Sequence, residues 1–248
     1  MTTTHGFIYV ERDDANPVPP RIYEAEVGAL VQTPGTEPPW IVVHREILSA
    51  GGSSWPGRLL RVKIVEVAVE GMNDPALLPN PSYVRCCAVQ IVDELTPSLV
   101  FGPDGAGMVE VIEIAQLLSL DQARLLAAND SPEAAAAYTA AWNAWMAVDA
   151  HGNSIDDAGV GRSGSPVGYG FLVLNSELRK RARTVSGEAG VAIDDEGESY
   201  LVAPWDQAGT ALLHAAMALG SPRLITQDGH AHLLRGWQSL MRGNNATR

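Results

Sequence analysis

The run Leu59-Leu60-Arg61-Val62-Lys63-Ile64-Val65-Glu66-Val67-Ala68-Val69-Glu70 decides the fold. Leu60, Val62 and Ile64 share one parity, whereas Val65, Val67 and Val69 carry the opposite one, with Glu66 and Glu70 facing away. Successive side chains of a strand point to opposite faces, so a change of parity inside one run predicts a β-bulge or bend near Ile64-Val65. Similar runs lie on either side. Gly6–Glu11, Ile22–Gln32, Trp40–Leu48, Tyr83–Glu94 and Val109–Ile114 read as further strands. Turn-forming stretches at Asn16–Pro20, Thr33–Pro39, Gly51–Gly57 and Asn80-Pro81 bound them. Tyr83–Val92 is apolar at nearly every position, the pattern of a central strand covered on both faces.

After about residue 112 the pattern turns helical. Ser119-Leu120-Asp121-Gln122 fits a capping box before Ala123–Ala128. Ser131-Pro132-Glu133 supplies an N-cap, a proline at the first helical position and an early acid, opening a helix to about Ala150. Residues 151–170 are glycine-rich and read as a flexible loop, followed by an apolar run, Phe171–Leu174, with the look of a strand. A hairpin is expected over Val191–Val202, turning on Asp194–Gly197. Two helices close the chain, Asp206–Leu219 and Gly229–Met241. The expected class is α+β. An N-terminal, mostly antiparallel β domain (a bent sheet, sandwich or partial barrel) spans 1–112, and a mainly helical region with a small hairpin spans 113–248.

Composition narrows the setting. The 248 residues carry 17 basic and 29 acidic side chains, a net charge of −12, which disfavours broad capture of nucleic acid. No run reaches the roughly 20 apolar residues of a membrane helix, and residues 1–20 lack the basic start and apolar stretch of a secretory signal. Cys86 and Cys87 are the two cysteines, adjacent and poorly placed to pair, so reduced thiols in a cytoplasmic protein are expected. Lysine occurs only as Lys63 and Lys180, which with the alanine-rich helices reads as the coding bias of a GC-rich bacterium or its phage.

The chemistry-bearing patterns each meet a plainer explanation. The loop Gly159–Gly170 lacks the strand-then-helix context and the spacing of a phosphate loop. Gly161-Arg162-Ser163-Gly164-Ser165 falls short of a nucleophile elbow. The carboxylates at Asp13-Asp14, Asp156-Asp157 and Asp194–Glu196 sit in predicted turns. The run Arg179-Lys180-Arg181-Ala182-Arg183 reads as a solvated helix face. His230-Ala231-His232, with His214 and Asp228 as further ligands, has metal-site spacing on a strand. On a helix, however, the two rings point roughly 200° apart. Glu113–Ala127 has the outline of a helix-turn-helix whose second helix offers Asp121, Gln122 and Arg124 to DNA.

Tyr138, Trp142, Trp145 and Met146 form one aromatic stripe, and Trp40, Trp55, Trp205 and Trp237 flank prolines or helix ends, where aromatics can anchor partners. The reading that results is a non-enzymatic interaction protein without a cofactor, a subunit or accessory factor of a bacterial or phage cytosolic assembly. Tyr138, Trp142, Trp145 and Trp237 would face a protein partner or a second copy. Two alternatives stay open: a metal-dependent hydrolase built on His214, Asp228, His230 and His232, and a helix-turn-helix DNA-binding regulator.

Overall fold

The computed structural model describes residues 5–11, 22–35, 38–68, 82–129, 131–152 and 166–246. The chain divides into two compact units, the first built on Met1–Val100 and the second on Phe101–Ile155 and Ser165–Arg248. The architecture is α+β, an antiparallel sheet followed by a helical half with a small hairpin.

The first unit holds β1 (His5–Glu11), β2 (Leu30–Gln32), β3 (Ile41–His44), β4 (Gly57–Val67) and β5 (Tyr83–Leu95). Every pairing is antiparallel. One edge of β5 runs along β4, and the other meets β3 and then β2. Because β3 also touches β1 and β1 pairs with β4, these four strands close into a partial barrel whose β1–β3 seam is the single pair Phe7↔His44.

Bulges make the closure possible. The register passes from Arg61↔Asp93 to Val62↔Ile91, from Ile64↔Val89 to Glu66↔Ala88, and then to Val67↔Cys86. Val92, Val65 and Cys87 are thus the unpaired extra residues, and each bends its strand. The parity change at Ile64-Val65 is the middle one. On β5 the bulge at Cys87 lets Cys86, Cys87, Ala88 and Val89 all be buried. The barrel core comprises Ile8, Val31, Ile41, Val43, Leu60, Val62, Cys86, Val89 and Ile91, with Ile22 packed among them.

Of the expected strand Ile22–Gln32, only the last three residues are strand. Ile22–Glu24 is a 3-10 turn, and Gly28 takes a positive φ of 93°, a left-handed conformation that interrupts extended chain. Arg58 ties this turn to the barrel. Its guanidinium grips Glu94 through two bonds of 3.1 and 2.7 Å and donates to the carbonyls of Tyr23 and Ala25.

The second unit has seven helices among the described residues: α1 (Gly105–Leu117), α2 (Leu120–Ala127), α3 (Pro132–Gly152), α4 (Phe171–Ser186), α5 (Trp205–Gly220), α6 (Gln227–Leu233) and α7 (Arg235–Ala246). The hairpin is β6 (Val191–Ile193) and β7 (Ser199–Leu201). Helix α5 touches all six others and is buried nearly all round. Its alanines and glycines allow that crowding. The approach is closest at Gly107 of α1, where a Cβ would meet the Leu219 carbonyl oxygen at 2.6 Å.

Local signals account for most helix ends. Ser119 and Gln122 form the capping box (3.2 and 2.8 Å), and the Ser131 hydroxyl accepts from the Ala134 amide at 3.2 Å. Asp194 Oδ1 accepts from the Glu196 and Glu198 amides, and Gly197 at φ 84° completes the hairpin turn.

Two expected strands are helical. Val109–Ile114 lies inside α1, since Met108, Val111, Ile112 and Ala115 recur at helical spacing and all are fully buried. Phe171–Leu174 opens α4 after a π-helical turn at Pro166–Gly170. The loop expected over 151–170 begins inside α3, and residues 153–165 lie outside the described part of the chain. The last expected helix is two, α6 and α7, broken at Leu234. No helix among the described residues is long and apolar enough to cross a membrane.

Candidate functional site

The described part of the α3 stripe packs, in part, within its own unit. The Tyr138 ring stacks on Phe171 at 6.2 Å and on Trp142 at 6.3 Å, and lies tilted against His214 at 5.2 Å. Burial pushes the Tyr138 hydroxyl up to about 12. Tyr138 and Trp142 are half-buried, and the side chains of Trp145 and Met146 lie outside what the structure describes. Trp237 is only 6% exposed, so it belongs to the core rather than to a partner's surface. Trp205 is fully buried too, and its indole N–H donates to Ser186 Oγ at 3.0 Å. An apolar helix stripe is consumed by whichever helix packs on it, and here Phe171 of α4 and His214 of α5 meet Tyr138.

The four metal candidates stay apart in role. His214 is 5% exposed and sits against Tyr138, whereas Asp228 is exposed on α6. His230 and His232 stand on helical backbone two residues apart, and His232 Nδ1 accepts from Arg235 Nη2 at 3.0 Å. A guanidinium on that lone pair competes directly with a cation. Among the described residues no group of three or more His, Cys, Asp or Glu side chains is placed to hold a metal ion, this quartet included.

The helix-turn-helix residues are likewise engaged. Arg124 bonds Asp121 at 2.9 Å, Gln122 belongs to the capping box, and α2 packs its buried Ala123 and Leu126 in the crowd around α5 and α7. In the basic run, Lys180 bonds Glu177 at 2.7 Å and Arg181 donates to the Leu117 and Leu118 carbonyls that end α1. Arg179 and Arg183 are exposed, and their guanidinium groups make no ion pair or hydrogen bond among the described residues. The carboxylates Asp13-Asp14 and Asp156-Asp157 lie outside those residues.

Burial pushes the Cys86 thiol up to about 12, with the neighbouring Cys87 adding to it; a protonated thiol of this kind is a poor nucleophile. Cys87 lines a surface recess together with Gln32, Thr33, Gly35 and Glu66.

A different cluster stands on the outer face of the barrel. The β3–β5 register sets Val42 opposite Arg85 and His44 opposite Tyr83, while Ile41, Val43, Val84 and Cys86 face the core. The Arg85 guanidinium lies over the Tyr83 ring at 5.2 Å and over the Trp40 ring at 5.9 Å, and it donates to the Tyr83 hydroxyl at 3.0 Å. Both are cation–π distances. Val42 is 39% exposed beside this group, and Trp40, Tyr83 and Arg85 are half-buried. His44 completes the block. Its ring is 6.0 Å from Tyr83, its Nδ1 is enclosed without a hydrogen bond among the described residues, and desolvation holds its pKa below the usual 6.5.

Of these residues sequence reasoning reached only Trp40, through its place after Pro38-Pro39. The signal for the others was available: Tyr83 and Arg85 alternate with Val84 and Cys86, as Val42 and His44 do with Ile41 and Val43. What was lacking was the register that sets the two alternations side by side. Compared with known protein families, with curated proteins and with solved structures, the chain matches none.

Proposed function

We propose that this chain is a non-enzymatic interaction protein, an accessory subunit of a bacterial or phage cytosolic assembly, and that it meets its partner through the outer face of β3 and β5. One observation carries the reading: a guanidinium held between two aromatic rings, half-exposed, next to a solvent-facing valine. Trp, Tyr and Arg are the residue types that concentrate binding energy at protein interfaces. Their arrangement here adds a second advantage. Arg85 is already oriented by Trp40 and Tyr83, so little side-chain freedom remains to be lost on docking. Val42, 39% exposed, offers apolar contact alongside the ring-held guanidinium.

The test is a photo-crosslinking amino acid at Val42, compared with the same group at the exposed Ala136 of α3, in cells expressing the full chain. A discrete adduct formed from position 42 and absent from position 136 is expected. Equal labelling from both positions, or none from Val42, overturns the reading.

A further inference from the structure

The second unit carries two exposed patches of opposite charge. On α4, Leu172, Arg179 and Arg183 fall at i, i+7 and i+11, one solvent-facing stripe. Leu172 is 59% exposed, and Arg179 and Arg183 lie one turn apart with no partner for either charge among the described residues. The other cations of the run are engaged, Lys180 with Glu177 and Arg181 with the end of α1. What faces solvent is thus a pair of guanidiniums with a leucine two turns away. The complementary patch is the tip of the β6–β7 hairpin. Asp195, Glu196 and Glu198 are exposed there, and Asp194 fixes the loop by accepting from the Glu196 and Glu198 amides at 3.0 and 2.8 Å. Ile193 and Tyr200, 68% and 49% exposed, flank the acids.

We infer that these patches are the two halves of one isologous contact, and that two copies of this chain pair by seating each hairpin tip on the other's α4 stripe. Charge complementarity selects the occupant. In a chain of net charge −12, two arginines side by side with no charge partner among the described residues are the exception, and an acidic turn with apolar flanks in the same unit is their match. Because each copy supplies both patches, a twofold axis closes the contact and leaves neither patch over. Arginine suits the role, since its planar fork takes carboxylates two bonds at a time. Exposed ion pairs alone contribute little, so Leu172, Ile193 and Tyr200 must supply the apolar part, and the pairing is weak and sensitive to salt. This inference stands apart from the β3–β5 reading, and either can fail without the other.

Sedimentation of the full chain over a range of concentrations tests it with two double variants, Arg179→Glu with Arg183→Glu and Asp195→Arg with Glu196→Arg. All four positions are exposed, and circular dichroism checks that each variant folds. Wild type is expected to dimerise. Each variant alone faces like charge with like, and its dissociation constant should rise by about tenfold or more. An equimolar mixture of the two restores both contacts at once and should regain dimer. A wild type that stays monomeric, self-association that the variants retain, or a mixture that fails to recover dimer overturns the inference.

Discussion

The barrel and the helical unit handle the same residue types in opposite ways. In the helical unit Trp205, Trp237 and the histidine of α5 are buried, and the half-buried Tyr138 packs on Phe171, His214 and Trp142. In the barrel Trp40, Tyr83 and Arg85 remain on the outer face. The difference is geometric. A strand assigns alternate residues to opposite sides, so a core on one side leaves the other available. A helix in a seven-helix unit can be contacted from several directions, and α5, buried nearly all round, is the extreme case. Rings such as Trp205 and Trp237 in such a unit are core, whereas an aromatic and an arginine alternating with core residues on a strand can be a surface.

The largest effect expected from this contrast is on tryptophan. Trp205→Ala removes a fully buried ring together with its bond to Ser186 and should destabilise the chain by about 3–5 kcal/mol. Trp40→Ala, on a half-buried ring, should lower stability by well under half of that; chemical denaturation of the two variants compares them directly. Next is Gly107→Ala. Its new methyl meets the Leu219 carbonyl oxygen and should cost about 1–3 kcal/mol, against the gain in helix propensity that alanine gives at an open helical glycine. Ser119→Ala removes one half of the capping box and should lower stability by about 1 kcal/mol, with Ser119→Asp retaining most of it.

The smallest effect is on pH, and it belongs to the barrel. Desolvation holds His44 below the usual 6.5, so the unfolded chain binds that proton more readily. Stability is unaffected by this group above pH 6.5, falls as the pH drops below it, and levels off under the folded pKa. The Arg58 guanidinium holds Glu94 below the usual 4.5. That contribution is present above pH 4.5 and is lost as the pH falls through the lower folded value, and it is small because Glu94 is 43% exposed. His44→Gln should remove the first phase and Glu94→Gln the second in melting curves taken across pH. A variant whose curve keeps both phases would show the barrel's titrations to lie elsewhere.

Much of this architecture was legible in the sequence because it rests on local chemistry. The parity change at Ile64-Val65, the Ser119 and Ser131 caps and the Asp194–Gly197 turn each act over a few residues. Val109–Ile114 and Phe171–Leu174 differ from expectation because four apolar residues in so short a run suit a strand and a buried helix turn equally well; for the first, only the wider spacing, Met108 to Ala115, separates them. The candidate site was the least legible part. Arg85 lies about 40 residues from Val42 in sequence, and nothing local sets them opposite each other. The antiparallel pairing of β3 with β5 does that, and it is a tertiary fact.

The measurement that bears most directly on the central claim is affinity capture from cells with three baits run side by side: wild type, Arg85→Ala and Trp142→Ala, each checked for a native melting curve. If the β3–β5 face is the docking surface, the species retained by wild type and by Trp142→Ala is lost with Arg85→Ala. Retention by Arg85→Ala together with loss from Trp142→Ala would contradict the account and move the interface to the helical unit.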